Sequence, residues 1–175
     1  LLITSTTPTG AAQVRQRFGE RVFSDWIPFD TPGAVRRFFT HWQPCVGVFV
    51  ETEIWPNMVV QAHAEAIPVV LLNARLSKRS ARGYARVSSV IRPTLASFSI
   101  IAAQERADAR RLVALGACPD QVVVTGNLKF ALDPQALRAA YQAEHQRLGG
   151  AVQDRPVWLA ASPHPGEEEA VLNAF

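Results

Sequence analysis

Short apolar runs alternate with amphipathic segments along most of the chain. The runs are rich in aliphatic residues and lie at positions 1–5, 21–23 extended by 26–27, 46–50, 69–72, 99–103, 122–125 and 157–161. Runs of this kind, apolar at consecutive positions, are typical of strands that are buried on both faces of a parallel sheet. The pattern therefore predicts a sheet that is covered by helices.

Amphipathic segments between the runs predict the helices. They span residues 9–18, 32–42, 56–66, 77–97 and 106–115. Pro32 suits the first turn of its helix, and Gly116 stands where a glycine commonly ends one. Strands that alternate with helices form βαβ units with right-handed crossovers. We therefore expect an α/β fold with a Rossmann-like parallel sheet flanked by helices.

The alternation changes after Phe130. The sequence predicts one long, polar, alanine-rich helix over residues 133–149, followed by a strand, a loop and the start of a helix over residues 157–175. We therefore divide the chain into an N-terminal domain at 1–130, a connector helix and linker at 131–155, and the start of a C-terminal domain at 156–175.

Composition and charge narrow the class of protein. Hydrophobic residues make up 48% and charged residues 19% of the chain, which is typical of a globular protein. The formal net charge of +3 suits an anionic partner, such as phosphate, nucleic acid or an acidic membrane surface, without choosing among them. No apolar run approaches the ~20 residues that span a bilayer, so we expect any membrane contact to be peripheral.

The spacing of cysteines and histidines predicts neither a disulfide framework nor a metal site. Cys45 and Cys118 lie beside apolar runs, and we interpret them as buried thiols in a reducing compartment. The four histidines are scattered along the chain, without the spacing that metal ligands show.

The first candidate for chemistry is the polar segment 4–10, directly after the first apolar run. Open α/β sheets bind ligands at the carboxyl ends of their strands. Hydroxyl groups, Gly10 and a helix N-terminus at this position can hold an anion. The alternative is a Ser/Thr helix cap without a ligand.

The second candidate is a pair of carboxylates, Glu51 and Glu53, between the third run and a predicted helix. They share one face if the strand continues, because side chains alternate along a strand. Such a pair can serve in acid–base chemistry, or it can order a hydroxyl or a basic partner. Alternatively, one carboxylate is exposed and the other stabilises the helix N-terminus.

The third candidate is a cationic segment after the fourth run. It contains Arg75, Lys78, Arg79, Arg82 and Arg86. Spacings of three and four residues place most of these cations on one side of a helix. Arginine side chains suit phosphate groups, and few acidic residues interrupt the segment. The alternative is a solvated helix face.

Two weaker candidates follow the sixth and seventh runs. In residues 125–130, Gly126 permits a close backbone approach and Lys129 can contact an anion. In residues 161–169, a hydroxyl, His164 and a glycine precede three glutamates, which suit the first turn of a helix on electrostatic grounds alone. The alternatives are an ordinary glycine turn and a loop histidine without a role.

These five segments, in this order, resemble the lipid A Kdo transferases, which transfer 3-deoxy-D-manno-octulosonic acid (Kdo). The similarity rests on ETEIWPN at residues 51–57, NARLSKRS at 73–80 with a following Gly-Tyr, GNLKF at 126–130 and TSTTPTG at 4–10. The segment SPHPGEEE at 162–169 is similar to a family segment that has threonine in place of Pro163.

The resemblance implies the N-terminal half of a GT-B fold, in which two Rossmann-like domains face a cleft. The N-terminal domain takes the acceptor, lipid IVA, and the C-terminal domain takes the donor, CMP-Kdo. Transfer inverts the anomeric centre and needs no metal or other cofactor. The enzyme is expected to lie on the cytoplasmic face of the bacterial inner membrane as a peripheral protein, without a nucleic-acid partner.

The resemblance also assigns roles to residues. Glu53 supports catalysis as a cleft carboxylate. The acceptor side consists of Thr6, Thr7, Gly10, Arg75, Ser77 and Arg79, and the donor side consists of Asn127, Lys129, Ser162, His164 and Glu168. The family's general base is a glutamate in a glycine-rich segment, expected upstream of Leu1. We therefore expect the N-terminal domain to lack its first strand and the 175-residue chain to be inactive by itself.

Two other classes of protein stay open at this point. A sugar-nucleotide 2-epimerase shares the GT-B architecture but does not need the cationic segment at 75–86. A non-catalytic flavodoxin-like binding module needs an acidic pocket near the first strand, where this chain has hydroxyl groups instead.

Overall fold

Six of the predicted apolar runs form parallel strands in the structure, which is a computed structural model. In chain order the strands are β1 (Leu2–Ser5), β2 (Phe23–Trp26), β3 (Gly47–Val50), β4 (Val69–Ala74), β5 (Ile100–Ala103) and β6 (Val122–Val124). β1 pairs with β2, and the others form a second sheet in the order β3-β4-β5-β6, with every pair parallel. The predicted Rossmann-like α/β fold is confirmed, although its strands are divided between two sheets.

The structure describes residues 1–131 and 160–174, together with positions 135, 138, 139, 141–143 and 146. The chain divides into two compact units, Leu1–Phe130 and Ala131–Phe175. Much of the predicted connector helix at 133–149 and of the predicted strand at 157–161 lies outside the described residues. The acceptor and donor roles that we assign to the two parts of the chain stay predictions.

Helices follow the strands of the first unit, and a further helix begins at Glu168 in the second unit, whose described positions 135, 138, 139, 141–143 and 146 are helical as well. They are α1 (Pro8–Phe18), α2 (Pro32–Trp42), α3 (Pro56–Ala64), α4 (Lys78–Ala85), α5 (Ser88–Ala96), α6 (Arg106–Leu115) and α7 (Glu168–Ala174). Proline begins α1, α2 and α3, where its fixed φ suits the helix and no amide hydrogen is needed. Gly116 ends α6 with a φ of 118°, which confirms its predicted role.

The amphipathic segment at 77–97 forms two helices where we expected one. Val87 leaves the helical conformation, with φ −116° and ψ 36°, and separates α4 from α5. α4 buries none of its residues, whereas α5 buries Ile91, Thr94 and Leu95. The break therefore lets α5 pack in the core while the cationic helix α4 lies at the surface. No described helix is both long and apolar enough to span a bilayer.

The centre of the core is formed by β4 and β5. Leu71 and Ile101 are fully buried there, and buried residues of α2, α3, α5 and α6 pack with them. Burial on both faces, which we expected for every strand, is wrong for β1, β2, β3 and β6, whose residues are half-buried or exposed. Each of these four strands pairs on one side only, so its other edge is not covered by a described strand.

Both cysteines are exposed, so the prediction of buried thiols is wrong. Cys45 lies in the loop before β3, and Cys118 lies between α6 and a short 3-10 turn at Pro119–Gln121. The neighbouring apolar runs begin only after these loops and therefore do not bury them.

Candidate functional site

A cavity of about 520 Å³ lies at the carboxyl ends of β1 and β3. Thr6, Thr7 and Gly10 line it from the segment after β1, and Glu53 and Trp55 line it from the segment after β3. Most of the remaining lining comes from the two strands themselves. The first two predicted segments are thus brought together, at the position where α/β sheets bind ligands.

Thr7 caps helix α1 in the wall of this cavity. Its Oγ1 accepts a hydrogen bond from the Gly10 amide at 3.1 Å, and Pro8 follows at the first helical position. A Cβ at position 10 would lie 3.1 Å from Thr7 Oγ1, a tight contact that glycine avoids. The helix cap that we considered as the alternative is therefore present. It also places the partial positive charge of the α1 N-terminus beside the cavity.

Glu53 is the member of the predicted carboxylate pair that lines the cavity. β3 ends at Val50, and Glu51 adopts a φ of 68° while its amide donates to the Leu72 carbonyl at 2.8 Å. The strand ends before both residues, so the condition under which Glu51 and Glu53 would share a strand face is not met. Glu53 Oε2 accepts a hydrogen bond from Trp55 Nε1 at 2.9 Å, which orients the carboxylate.

Asp30 supports the same part of the site and was missed by sequence reasoning. Its carboxylate accepts hydrogen bonds from the amides of Asn57 and Met58 at 3.1 and 2.9 Å, and its carbonyl accepts from Asn57 Nδ2 at 2.6 Å. These bonds cap α3, the helix that begins directly after Trp55. The partners lie 27 and 28 residues away along the chain, so no local motif reveals them.

Asp108 and Arg111 of α6 hold the peptide groups on either side of Leu76. Asp108 Oδ1 accepts from the Leu76 amide at 2.9 Å, and Arg111 Nη1 donates to the Leu76 carbonyl at 2.7 Å. The two side chains form an ion pair at 3.0 Å, and Asp108 is only 5% exposed. We call this arrangement the Leu76 clamp, and it fixes the backbone between Arg75 and Ser77. Sequence reasoning missed it because an acid in the first turn of a helix is ordinary.

The five predicted cations lie on the surface beside the Leu76 clamp. Arg75, Lys78, Arg79, Arg82 and Arg86 are all exposed. Ser77 Oγ caps α4 by accepting from the Ser80 amide at 3.0 Å. Within the part of the chain that the structure describes, the clamp contains the one ion pair, so the five cations have no carboxylate partner there. Their charge is available to an anionic ligand or surface.

The turn after β6 is attached to the end of β4 through Asn73. This residue is 3% exposed, has a φ of 54° and accepts a hydrogen bond from the Leu128 amide through Oδ1 at 3.0 Å. Asn127 Oδ1 accepts from the Lys129 amide at 3.0 Å, which orders the turn that carries the exposed Lys129. Sequence reasoning quoted Asn73 in a motif but gave it no role.

Hydrogen bonds thus connect three predicted segments along one rim of the larger sheet. Thr52 Oγ1, after β3, donates to the carbonyl of Arg75, after β4. Asn73 completes the connection to the turn after β6. The cavity lining includes Glu53 but none of the described residues Arg75, Ser77, Arg79, Asn127 and Lys129. These five therefore belong to the rim beside the cavity and not to its wall.

Two of the predicted donor residues of the second unit, Ser162 and His164, precede α7, and the third, Glu168, is its first residue. The His164 amide donates to Glu167 Oε2 at 2.9 Å, and the Gly166 amide donates to Glu168 Oε2 at 2.8 Å. Ser162, His164 and Glu168 are exposed. The glutamates therefore stabilise the turn that begins α7. Among the described residues of both units, no cluster of three or more His, Cys, Asp or Glu could hold a metal ion.

A family model described as 3-deoxy-D-manno-octulosonic-acid transferase (kdotransferase) matches residues 1–132. The chain belongs to this family. It is 35% identical to the Kdo transferase of Haemophilus influenzae, over 99% of its own length and 40% of the relative's. It is 35% identical to the Bordetella pertussis enzyme, and the match covers 100% of this chain and 41% of that enzyme. It is 30% identical to the probable mitochondrial enzyme of Arabidopsis thaliana, and that match covers 98% of this chain and 39% of the relative. The chain spans about two fifths of the length of these relatives.

Solved structures similar to this Kdo transferase chain agree with its fold. A UDP-GlcNAc 2-epimerase from Neisseria meningitidis, bound to UDP-GlcNAc, matches with a TM-score of 0.56 at 16% identity, over 85% of this chain and 45% of that one. A putative UDP-N-acetylglucosamine 2-epimerase from Listeria monocytogenes matches with a TM-score of 0.51 at 15% identity. This match covers 76% of this chain and 39% of that one. Identities this low show the fold alone, whereas the family match favours the transferase over the epimerase and flavodoxin-like alternatives.

Replacing Asp108 with asparagine tests the Leu76 clamp. We expect the free energy of unfolding to fall by about 1–3 kcal/mol, because Arg111 loses its carboxylate and the Leu76 amide loses a charged acceptor. The measurement is urea unfolding of the variant and the parent protein under identical conditions.

The matched control is Asp120→Asn, which makes the same change at an exposed position. It should alter the free energy of unfolding by no more than about 0.5 kcal/mol. Equal effects of the two substitutions would show that the clamp contributes nothing beyond an ordinary surface carboxylate.

Proposed function

We propose that the protein containing this chain transfers Kdo from CMP-Kdo to lipid IVA in lipopolysaccharide biosynthesis, with inversion at the anomeric carbon. The observation that carries this proposal is the cavity at the ends of β1 and β3. There the α1 N-terminus and Glu53 lie near a rim of exposed cations that have no carboxylate partner among the described residues. The names of the relatives support Kdo as the transferred sugar. Because the chain spans about two fifths of those relatives, the activity is proposed for the complete protein.

The acceptor side is proposed to consist of the cavity wall and the rim beside it. Thr6, Thr7 and Gly10 offer a hydroxyl-rich wall at a helix N-terminus, which attracts anions and hydrogen-bonds to sugar hydroxyls. Arg75 and Arg79 are exposed and without a carboxylate partner in the described residues, so they suit the phosphates of lipid IVA. Ser77 contributes through its cap on α4, which sets the direction of the cationic helix.

Glu53 is proposed to support catalysis by orienting the acceptor or a neighbouring donor group. Trp55 Nε1 donates to one of its carboxylate oxygens, and a carboxylate has capacity for further hydrogen bonds at both oxygens. The carboxylate is therefore held in one orientation, and it can still accept a hydrogen bond from a hydroxyl group of the substrate. We expect the main general base to be a glutamate outside the 175 residues.

The chemical step follows from these roles. The base takes the proton of an acceptor hydroxyl, and the oxygen attacks the anomeric carbon of Kdo on the face opposite to CMP. The bond from that carbon to the CMP phosphate oxygen breaks, and CMP leaves with the bonding electron pair. Amides and cations stabilise the charge that develops on the leaving phosphate. Asn127 and Lys129 are proposed to serve the donor in this step, together with Ser162, His164 and Glu168 of the second unit.

The enzyme is proposed to act on the cytoplasmic face of the bacterial inner membrane as a peripheral protein. Arg82 and Arg86 of the cationic segment are exposed, and the next turns of the chain expose Val87 and Val90 as well. Cations beside exposed apolar side chains suit the surface of an anionic bilayer, where each basic residue contributes about 1 kcal/mol of binding free energy.

Replacing Glu53 with glutamine in the complete enzyme tests its catalytic role. We expect turnover to fall by about 100-fold or more, because glutamine cannot carry the negative charge or accept a proton at this position. The measurement is CMP release from CMP-Kdo in the presence of lipid IVA. Thermal unfolding should stay close to that of the parent enzyme, since the Glu53 side chain is itself exposed.

The matched control for this test is Glu51→Gln. Glu51 is two residues away and equally acidic, but it is not part of the cavity lining. Removing the charge of Glu51 should leave turnover within about threefold of the parent, because substitutions at exposed positions outside a site have small effects. Near-parental turnover of the Glu53 variant would rule out a role for that carboxylate in the reaction.

Reversing two charges tests the proposed membrane surface. The double substitution Arg82→Glu and Arg86→Glu should weaken binding to vesicles that contain phosphatidylglycerol by about tenfold or more, and raising the salt concentration should weaken the parent's binding as well. Arg36→Glu with Arg37→Glu on α2 gives the same change in net charge at other exposed positions. Equal losses in the two double variants would indicate that net charge, and not the cationic helix, determines membrane binding.

A further inference from the structure

An extra residue interrupts the pairing of β4 with β5 at the carboxyl end of β4. Leu71 pairs with Ile101, and Ala74 pairs with Ala103. β4 therefore has one residue more than β5 between these two pairs. Asn73 lies in this stretch and adopts a φ of 54°, a left-handed conformation that asparagine tolerates better than most residues with a side chain. A β-bulge of this kind bends the strand and can redirect a side chain next to an active site.

The side chain of Asn73 reaches the turn that follows β6. Its Oδ1 accepts a hydrogen bond from the Leu128 amide at 3.0 Å, although the two residues are 55 positions apart along the chain. β5 lies between β4 and β6 in the sheet, so this hydrogen bond spans an intervening strand. Because Asn73 is buried, the hydrogen bond is costly to leave unmade.

Gln104, the first residue after β5, supports the bulge. Its Nε2 donates to the Asn73 carbonyl at 3.0 Å, and its amide donates to the Ala74 carbonyl at 2.9 Å. Both carbonyl groups at the end of β4 are thus held by one residue of the neighbouring segment. These hydrogen bonds fix the backbone of Asn73 and, with it, the position from which Oδ1 accepts.

The turn at residues 126–130 has few other attachments to the sheet. Thr125 precedes it and donates its amide to the Ala103 carbonyl at 3.0 Å. Among the described residues, the bond to Asn73 is the one hydrogen bond that joins residues 126–130 to another element. Leu128 and Phe130 are 50% and 88% exposed, so apolar packing holds the turn only weakly. The position of the turn therefore depends on Asn73.

We propose that Asn73 is a positioning residue for the transfer reaction, because it sets the place of the turn that carries Asn127 and Lys129 relative to the segment after β4. This inference rests on the proposed function, in which that turn serves the donor and Arg75 serves the acceptor. Asn73 lies two positions before Arg75, so a single side chain connects the two sides of the reaction. A misplacement of about 1 Å between reacting groups can lower the rate by about 100-fold.

Replacing Asn73 with glycine in the complete enzyme tests the proposal, because glycine accepts the φ of 54° and removes only the side chain. The measurement is CMP release while the concentration of each substrate is varied in turn. We expect kcat/KM for CMP-Kdo to fall by about tenfold or more, and KM for lipid IVA to stay within about threefold of the parent, since the lost bond holds the donor turn. Equal changes in KM for both substrates would indicate a general structural effect and overturn the proposal.

Replacing Leu128 with proline removes the same hydrogen bond from its donor end. Proline lacks the amide hydrogen, and its φ suits the first residue of the 3-10 turn at Leu128–Phe130. We expect a similar fall in kcat/KM for CMP-Kdo, and a double variant no more than about threefold worse than either single variant. Losses that multiply in the double variant would overturn the proposal, since they would have separate origins. The control Leu128→Ala keeps the amide and should stay within about threefold of the parent.

Amide hydrogen exchange, measured by NMR on the complete protein, separates this inference from the proposed function. In Asn73→Gly we expect the Leu128 amide to exchange at least about tenfold faster than in the parent, while the Ile101 amide in the core keeps its rate. An unchanged rate at Leu128, or a faster rate with unchanged CMP-Kdo kinetics, would overturn the positioning role. A parent enzyme that releases no CMP would instead overturn the proposed function, whatever the exchange rates are.

Discussion

Parallel pairing of the strands around β4 and β5 is the constraint on which the site depends. Leu71 and Ile101 are buried at the centre of these pairs, and the burial of apolar side chains there stabilises the sheet. Because the strands run in one direction, the segments that follow β3, β4 and β6 all emerge at one rim. Polar residues that are far apart in the sequence become neighbours for this reason alone, before any ligand is considered.

Long-range hydrogen bonds then fix the backbone of the rim. Asp30 caps α3, Asn73 holds the turn after β6, and the Leu76 clamp fixes the segment between β4 and α4. These groups are buried or half-buried, so leaving their partners unsatisfied would be destabilising. The side chains of Glu53 in the cavity wall and of the five cations beside it are exposed to solvent, so they are accessible to the substrate that we propose. Burial thus separates the polar groups that hold the backbone from those that we propose to bind a substrate.

Much of this arrangement could be predicted from the sequence because its signals are local. Apolar runs identify the strands, and Pro32 and Gly116 mark helix ends through their own backbone preferences. The errors occurred where the outcome depends on neighbours far along the chain. The division into two sheets and the exposed edge of β3 depend on which strands pair with each other. The break at Val87 depends on which helix packs against the core. The residue types alone also could not predict that Glu53, and not Glu51, lines the cavity. The point at which β3 ends determines which of the two carboxylates reaches it.

We propose that the strand ends bring polar segments together as a binding site for a phosphorylated sugar. The most direct measurement is an NMR titration of the isotope-labelled complete protein with the deacylated, bisphosphorylated disaccharide of lipid IVA. If this proposal is correct, we expect chemical-shift changes concentrated in residues 5–10, 52–55 and 75–80, at the carboxyl rim. Changes confined to the opposite rim, at the start of β3, β4 and β5, would contradict it, as would an unchanged spectrum at saturating sugar concentrations.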